Sequence, residues 1–269
     1  MPVQVWATWF PRDGKPQSFI RGFPFEGLDL STRGQNPFRF RIPDNEIGES
    51  SCRGKLAADG HWVSWDLRYH STFRFTISDK GWIGFSRTPH SDAVFSGQIT
   101  LDGRRFEGNP LGFGVQGHNC GYRHRNFWTW THAYFLPCEN RLPSARAAQA
   151  STFEALIYEM PLGLVFRKAV LWHEGKAHVF RGLQESRRDA DGLGWNFHCL
   201  TKDGLRLEAA IDGAGTGIHR LPYVKTDCRG SFEVANNSLS RAILRLGRSG
   251  RPVETLETSN GAVLEMVGR

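Results

Sequence analysis

The sequence predicts an all-β protein built from antiparallel strands. Strand-length segments that alternate apolar and polar residues recur along the chain, among them HWVSWDLRY, LGLVFRKAVLW and WNFHCL. Only ARAAQASTFEAL, around residues 145–156, has a helical pattern, so a parallel sheet with crossover helices is disfavoured and an antiparallel sandwich or barrel is favoured. Asp-Gly pairs, which favour tight hairpin turns, occur at Asp13-Gly14, Asp59-Gly60, Asp102-Gly103, Asp191-Gly192, Asp203-Gly204 and Asp212-Gly213.

A change in composition predicts where the chain divides. A length of 269 residues suits either one large β domain or two smaller ones. In residues 137–150, PCENRLPSARAAQA, proline, polar and small residues replace the strand pattern. We therefore predict an N-terminal β domain at residues 1–136, a linker at 137–150 and a C-terminal β domain at 151–269.

The overall composition is that of an ordinary globular protein, with 39% hydrophobic and 23% charged residues. No apolar run is long enough to span a bilayer, and the first residues lack the basic and apolar regions of a secretory signal. We therefore predict a cytoplasmic protein. The five cysteines are scattered and contain no CxxC pair, which argues against a disulfide framework and against a zinc knuckle.

The net charge of +7 raises the question of an anionic partner. The basic residues are spread thinly and no motif that reads DNA or RNA is present, so we expect no nucleic-acid partner and read the charge as a solvated surface. A peripheral contact with a membrane surface stays open. The sequence does not indicate the oligomeric state.

Histidines and aromatic residues are concentrated in residues 114–135, GVQGHNCGYRHRNFWTWTHAYF. Side chains alternate between the two faces of a strand, so Trp128, Trp130 and His132 share one face. After the polar break, this pattern predicts two adjacent strands that line a site. By the same alternation, one face of the first strand carries His118, Cys120, Tyr122 and His124.

Other patterns in the sequence also bear on the type of site. GFGVQG at residues 112–117 has dinucleotide-binding spacing, but the helix that would hold the pyrophosphate cannot follow it, so we reject the match. His118, Cys120 and His124 are candidate metal ligands, yet no second ligand cluster accompanies them, so we expect no metal. GxSxG, P-loop and HExxH motifs are absent from the sequence, and we expect no cofactor.

The nine tryptophans of the chain are its other unusual feature. Each one alone is best explained as a core residue. Together they predict an aromatic-lined barrel interior, which suits a long apolar or polyene ligand. We take Trp65, Trp128 and Trp130 as ligand-binding candidates, with Asn119 as an anchor for a ligand hydroxyl.

The same segment resembles a known signature. GHNCG followed by NFWTWTHAYF is similar to the His-Asn-Trp-Gly and Trp-x-Trp motifs of the lipocalin-like family of carotenoid hydratases, tocopherol-cyclase relatives and AttH-like proteins. VSWDL and FSGQITLDG upstream, and DCRGSFEVANNSLSRAILRL downstream, resemble further segments of that family. The resemblance covers most of the chain. It implies two lipocalin-like (calycin-type) antiparallel β-barrels in tandem, with an apolar ligand held in one of them.

The resemblance also implies a chemistry that two positions do not support. In the hydratases of the family, an aspartate directly before the His-Asn pair is the acid that protonates a carbon–carbon double bond. Gly117 occupies that position here, and Cys120 replaces the following tryptophan. Asp66 and Glu159 are carboxylates that folding could bring close. The candidate catalytic residues are therefore the nearby imidazoles and phenol: His118, Tyr122, His124 and His132.

Two functions follow as hypotheses, both with an apolar small molecule as partner. The first is a cofactor-free hydratase, cyclase or isomerase that protonates an isoprenoid, polyene or polyketide-like substrate, with tryptophan faces stabilising the carbocation. The second is a non-catalytic carrier of the same ligands. The clustered imidazoles favour catalysis, whereas the missing aspartate favours the carrier. Burial among aromatic rings is expected to lower the pKa of a catalytic histidine.

Overall fold

The structure is a computed structural model that describes residues 3–31, 39–80, 84–121, 126–136, 150–189, 193–213, 217–225, 229–248 and 254–268. Within those residues the chain forms nineteen β-strands, two short 3-10 turns and no α-helix, which confirms the all-β prediction. None of the helical segments in the described part has the length and hydropathy needed to cross a bilayer.

The first ten strands include the two longest in the chain. They are β1 (Val3–Trp9), β2 (Gln17–Phe23), β3 (Asp29–Ser31), β4 (Arg39–Ile42), β5 (Asn45–Gly48), β6 (Ser51–Ala58), β7 (His61–His70), β8 (Phe75–Lys80), β9 (Gly84–Leu101) and β10 (Arg104–Gly121). The remaining strands are β11 (Trp128–Phe135), β12 (Ser151–Glu159), β13 (Val165–His173), β14 (Lys176–Asp189), β15 (Gly194–Thr201), β16 (Arg206–Asp212), β17 (His219–Val224), β18 (Ser231–Gly247) and β19 (Glu254–Val267). The 3-10 turns lie at Phe25–Gly27 and Pro161–Gly163.

Two of the Asp-Gly pairs form the hairpin turns that the sequence predicts. In the turn between β6 and β7, Asp59 and Gly60 have φ of 53° and 82°. In the turn between β9 and β10, Asp102 and Gly103 have φ of 49° and 84°. Positive φ at both central residues is the type I′ geometry whose twist matches antiparallel strands. The pair at residues 191–192 lies outside the described residues.

The first compact unit consists of Met1–Arg74 and Ala93–Gln116. Its main sheet has the strand order β10-β9-β7-β6-β5-β4-β3, and β1 pairs with β2 in a separate hairpin. Phe19, Leu56 and Val63 form its apolar core. Among the described residues no pairing joins β3 to β10, so the expectation that this half forms a closed barrel stays a prediction.

The second compact unit consists of Phe75–Asp92 and Gly117–Arg269 and contains a closed antiparallel barrel. Its strands follow the order β16-β15-β14-β13-β12-β11-β19-β18, and the pairing of β16 with β18 closes the ring of eight. β17 pairs with β18 outside the ring. Within this unit, β8 pairs with the start of β9.

Apolar side chains fill the interior of this barrel. Five large ones, from four different strands, are at most 2% exposed: Phe153, Phe180, Trp195, Phe197 and Leu207. Phe153 and Trp195 each contact the ring of Phe197, so this part of the interior is packed, and the expectation of a ligand inside an aromatic-lined barrel stays a prediction.

The middle of the chain differs from three expectations. Residues 151–156, expected to be helical, belong to strand β12, because they pair with β11 and β13. Strand β11, assigned to the N-terminal domain, is part of the second unit's barrel and pairs with β12 and β19. β10 and β11, expected to be neighbours, belong to different sheets. The predicted linker, apart from Ala150, lies outside the described residues.

Candidate active site

The outer face of strands β11 and β12 carries a cluster of polar side chains. Ala133 and Phe135 of β11 point into the barrel core, so the alternate residues Trp128, Trp130 and His132 share the outer face, as the sequence predicts. On β12, Glu154 lies on the same outer face. Residues 88–92 of β9 lie against this face and bury it.

Glu154 is the buried carboxyl group of the cluster, at 3% exposure. Thr88 Oγ1 donates hydrogen bonds of 2.8 Å to its Oε2 and 3.1 Å to its Oε1, and Trp130 Nε1 donates one of 3.0 Å to Oε1. Burial raises the pKa of Glu154, although these hydrogen bonds oppose the shift. Because the indole N–H only donates, Oε1 is an acceptor, so a protonated Glu154 would carry its proton on Oε2.

His132 is the buried imidazole of the cluster. Its Nε2 lies 2.8 Å from the carbonyl oxygen of Ser91. A carbonyl oxygen only accepts, so Nε2 carries the proton and Nδ1 keeps a lone pair. Burial lowers the pKa of His132 to about 4, against the raising effects of the Ser91 hydrogen bond and the Asp92 charge. The imidazole is therefore neutral near neutral pH and can act as a base, not as an acid.

The acid and the base are direct neighbours across two strands. His132 on β11 and Glu154 on β12 are Cα partners in the antiparallel register. Side chains of such a pair lie on the same face with Cβ atoms about 5 Å apart. A carboxyl group whose pKa is raised, beside an imidazole whose pKa is lowered, forms a proton donor and a proton acceptor within one site.

The low pKa of His132 predicts a specific pH dependence of stability. The unfolded imidazole binds a proton near pH 6.5 and the folded one only near pH 4, so the free energy of unfolding falls as the pH is lowered across this range. Across this range, protonation of His132 lowers the free energy of unfolding by roughly 3 kcal/mol. Urea unfolding of the wild type and of His132→Gln at several pH values measures this change. We expect the difference between the two curves to narrow towards pH 4; parallel curves would contradict the assignment.

Further polar residues extend the cluster along β9 and β10. Asp92 is buried. Burial of Tyr134, followed by the charge of Asp92, raises the pKa of Tyr134 to about 12. His90 is also buried and lies between Thr88 and Asp92 in the chain. His118 of β10 is half-buried, and burial followed by the charge of His90 lowers its pKa. The candidate His118 is thus connected to the cluster through His90.

A second carboxyl group, which is partly buried, occupies the same outer face. Trp128 Nε1 donates a hydrogen bond of 2.7 Å to Oε1 of Glu265 on β19. Burial raises the pKa of Glu265. Each tryptophan of the Trp-x-Trp pair therefore reaches diagonally to a different neighbouring strand and holds one glutamic acid there.

The other residues singled out from the sequence are not part of this cluster or cannot be placed. Tyr122, His124 and the side chain of Cys120 lie outside the described residues. Asn119 is exposed on β10, so its role as a ligand anchor stays a prediction. Trp65 packs against the apolar core of the first unit, and its ligand-binding role also stays a prediction.

The carboxylates proposed from the sequence differ from those that the structure buries. Asp66 is exposed on β7 of the first unit, and Glu159 is the half-buried last residue of β12. Sequence reasoning missed Glu154 and Glu265. One signal for Glu154 was available: it is the only charged residue in STFEALI, the stretch of seven consecutive buried residues that begins β12.

A metal site was also considered in the sequence. In the described part of the chain, no three His, Cys, Asp or Glu side chains are grouped as metal ligands. Since Cys120 and His124 are outside that part, the expectation of no metal stays a prediction.

Comparison with known proteins identifies a shared fold. No protein-family model and no curated protein matches the sequence. Among solved structures, the chain is similar to kievitone hydratase from Nectria haematococca, with a TM-score of 0.61 and 14% sequence identity. The similarity covers 99% of this chain and 80% of that one. At such low identity it shows a common fold and does not by itself transfer an activity.

Proposed function

We propose that the protein is a cofactor-free hydratase or isomerase that protonates a carbon–carbon double bond of an apolar, isoprenoid-like or polyene substrate. The observation that carries the proposal is the buried Glu154, held by Trp130 and Thr88, next to the buried His132. The common fold with a hydratase is consistent with this chemistry. The finer expectation of two tandem lipocalin-like barrels is part of the same proposal.

The reaction assigns one step to each partner of the pair. Glu154 transfers its proton from Oε2 to one alkene carbon and becomes a carboxylate. The π electron pair of the double bond forms the new C–H bond. The other carbon becomes a cation, which the π faces of nearby tryptophans such as Trp130 can stabilise. Water attacks this cation, and His132 Nδ1 takes the proton that the water loses. Return of that proton to Glu154 restores the starting state.

Glu154 supplies the acid that the family resemblance would place at position 117. Gly117 is exposed, and a Cβ there would make only an ordinary contact with the Arg87 carbonyl oxygen. A carboxyl group at such a position is solvated and keeps an ordinary pKa, so it is ionised at neutral pH. Burial instead raises the pKa of Glu154, which favours its protonated form. The missing aspartate therefore does not exclude acid catalysis.

The test of the proposal is a search for water addition. The whole protein is incubated in H₂¹⁸O with kievitone, the compound that names the similar hydratase, and separately with geraniol, a simple isoprenoid alcohol. Mass spectrometry is expected to detect a product that has gained one water containing ¹⁸O. Rearranged products without added water would indicate an isomerase.

The alternative from the sequence is a non-catalytic carrier, which the glycine at position 117 favours. Quenching of tryptophan emission by the same compounds measures their binding. Quenching without any product, under conditions where the protein is folded, would support the carrier and contradict the hydratase.

A further inference from the structure

The reaction proposed above leaves the second carboxyl group of this face, the partly buried Glu265, without a role. Trp128 Nε1 donates to its Oε1, and Asn236, its Cα partner on β18, supplies a second hydrogen bond. The carbonyl oxygen of Asn236 accepts a hydrogen bond of 3.1 Å from Ser238 Oγ, so its amide NH₂ faces Glu265. Both of these partners donate to the carboxyl group. Neither accepts the proton that a neutral Glu265 carries.

Aromatic rings form a continuous wall beside this carboxyl group. Trp128 and Phe232 meet edge to face, with ring centroids 5.6 Å apart and an interplanar angle of 83°. Phe232 in turn contacts Tyr223, with centroids 5.7 Å apart. Burial, and then the charge that Glu265 carries when it is ionised, raises the pKa of Tyr223, so the two groups interact electrostatically. All three rings are only partly buried, so the wall keeps some exposed surface.

The chemistry of Glu265 and the neighbouring aromatic rings favours one kind of ligand group. A neutral carboxyl group both donates and accepts hydrogen bonds, and so does an alcohol or phenol hydroxyl. A cationic ligand would need an ionised carboxylate, which burial of Glu265 disfavours. The ring wall adds a surface for an apolar body next to the polar group.

We propose that Glu265, Asn236 and the wall of Trp128, Phe232 and Tyr223 form a subsite that binds the hydroxyl group of an otherwise apolar ligand. The subsite rests on the proposed function in one respect, because the substrate of the proposed reaction must carry a hydroxyl group in addition to the reacting double bond. Glu265 and Glu154 lie on strands β19 and β12, on either side of β11 and two residues out of register. Their Cα atoms are roughly 12 Å apart. The substrate is therefore elongated, with the hydroxyl and the double bond well separated.

Binding of two probes that differ by one hydroxyl group tests the subsite without any turnover. Equilibrium dialysis of the whole chain against 2-naphthol and naphthalene gives the two dissociation constants. We expect the wild type to prefer 2-naphthol by about tenfold or more. Glu265→Leu is expected to lose this preference. Glu265→Gln is expected to keep part of it, because an amide also donates and accepts.

Matched variants separate the subsite from other effects. Glu257→Gln changes an exposed glutamate on the same strand, β19, and is expected to keep the wild-type preference. Tyr223→Phe removes a single oxygen and is expected to reduce the preference several-fold, which provides a test even if Glu265→Leu does not fold. Glu154→Gln is expected to keep the preference, so failure of the hydration chemistry and failure of the subsite are distinguishable.

Three outcomes would overturn the subsite. The first is equal binding of 2-naphthol and naphthalene by the wild type. The second is a folded Glu265→Leu variant that prefers 2-naphthol over naphthalene as strongly as the wild type does. If Glu265→Leu does not fold, the same result in Tyr223→Phe has this meaning. The third is tighter binding of phenyltrimethylammonium than of 2-naphthol, which would show that the subsite binds cations. Hydration activity in a protein without the preference would leave the proposed function standing alone.

Discussion

Replacing Glu154 by glutamine is expected to lower the turnover of a hydrated substrate by about 10²- to 10⁴-fold, the usual contribution of a positioned acid. Glutamine has nearly the same shape and can still accept the hydrogen bond from Trp130, but it has no proton to transfer. Ligand affinity is expected to change little, because the lost interaction belongs to the transition state. Steady-state kinetics with the ¹⁸O assay and the binding assay by tryptophan quenching measure the two effects separately.

A structural role for Glu154 would give a different result. The neutral amide replaces a neutral acid, so we expect the melting temperature of Glu154→Gln to stay close to that of the wild type. Glu257→Gln, an exposed glutamate paired with Arg241, is the control and is expected to keep full activity. If turnover in Glu154→Gln equals that of the control, Glu154 is not the acid. If turnover falls only in proportion to the folded fraction, Glu154 is a structural residue.

Replacing Leu207 by alanine is expected to lower the free energy of unfolding by about 2–5 kcal/mol. Leu207 lies on β16 at 0% exposure inside the closed barrel, where the packed core cannot collapse fully around the missing atoms. Leu200 on the adjacent strand β15 is the matched control, because it is 52% exposed. Its replacement by alanine is expected to change the free energy of unfolding by less than about 0.5 kcal/mol. Urea unfolding of both variants measures the difference.

This pair of variants also tests where a ligand can bind. If the barrel interior were an open ligand cavity, Leu207→Ala would enlarge an existing space and cost little more than Leu200→Ala. A large difference between the variants supports a packed interior and directs the search for the ligand to the outer face of the barrel. Similar small effects in both variants would return the ligand to the interior.

The sequence could predict the shared face of Trp128, Trp130 and His132, because side chains alternate along any strand whatever its partners. It could not predict on which side of the barrel that face lies. The answer depends on pairing of β11 with β12 and β19, and the second of these lies more than a hundred residues away. The sequence therefore favours a barrel interior for Trp128 and Trp130, whereas in the structure both lie on the outer face of the second unit's barrel.

Glu154 was missed because local preference and long-range pairing disagree. The stretch ARAAQASTFEAL is rich in alanine, glutamine and glutamate, which favour helix, yet cross-strand pairing makes residues 151–156 a strand. The partners of the site are also distant in the chain. Thr88 is 66 residues from Glu154, and Ser91 is 41 residues from His132. No local pattern brings such residues together.

The pairing of β11 with β19 has a consequence for synthesis of the chain. The hydrogen bond from Trp128 to Glu265 joins residues 137 apart, and β19 is the last strand that the structure describes. At translation rates of 5–20 residues per second, roughly 7 to 27 s separate the two ends of this contact. Throughout that interval β11 has an unpaired edge, and Trp128 lacks its partner Glu265. The nascent protein therefore carries an unpaired strand edge, which is prone to aggregation, until the last strand of the barrel has been made.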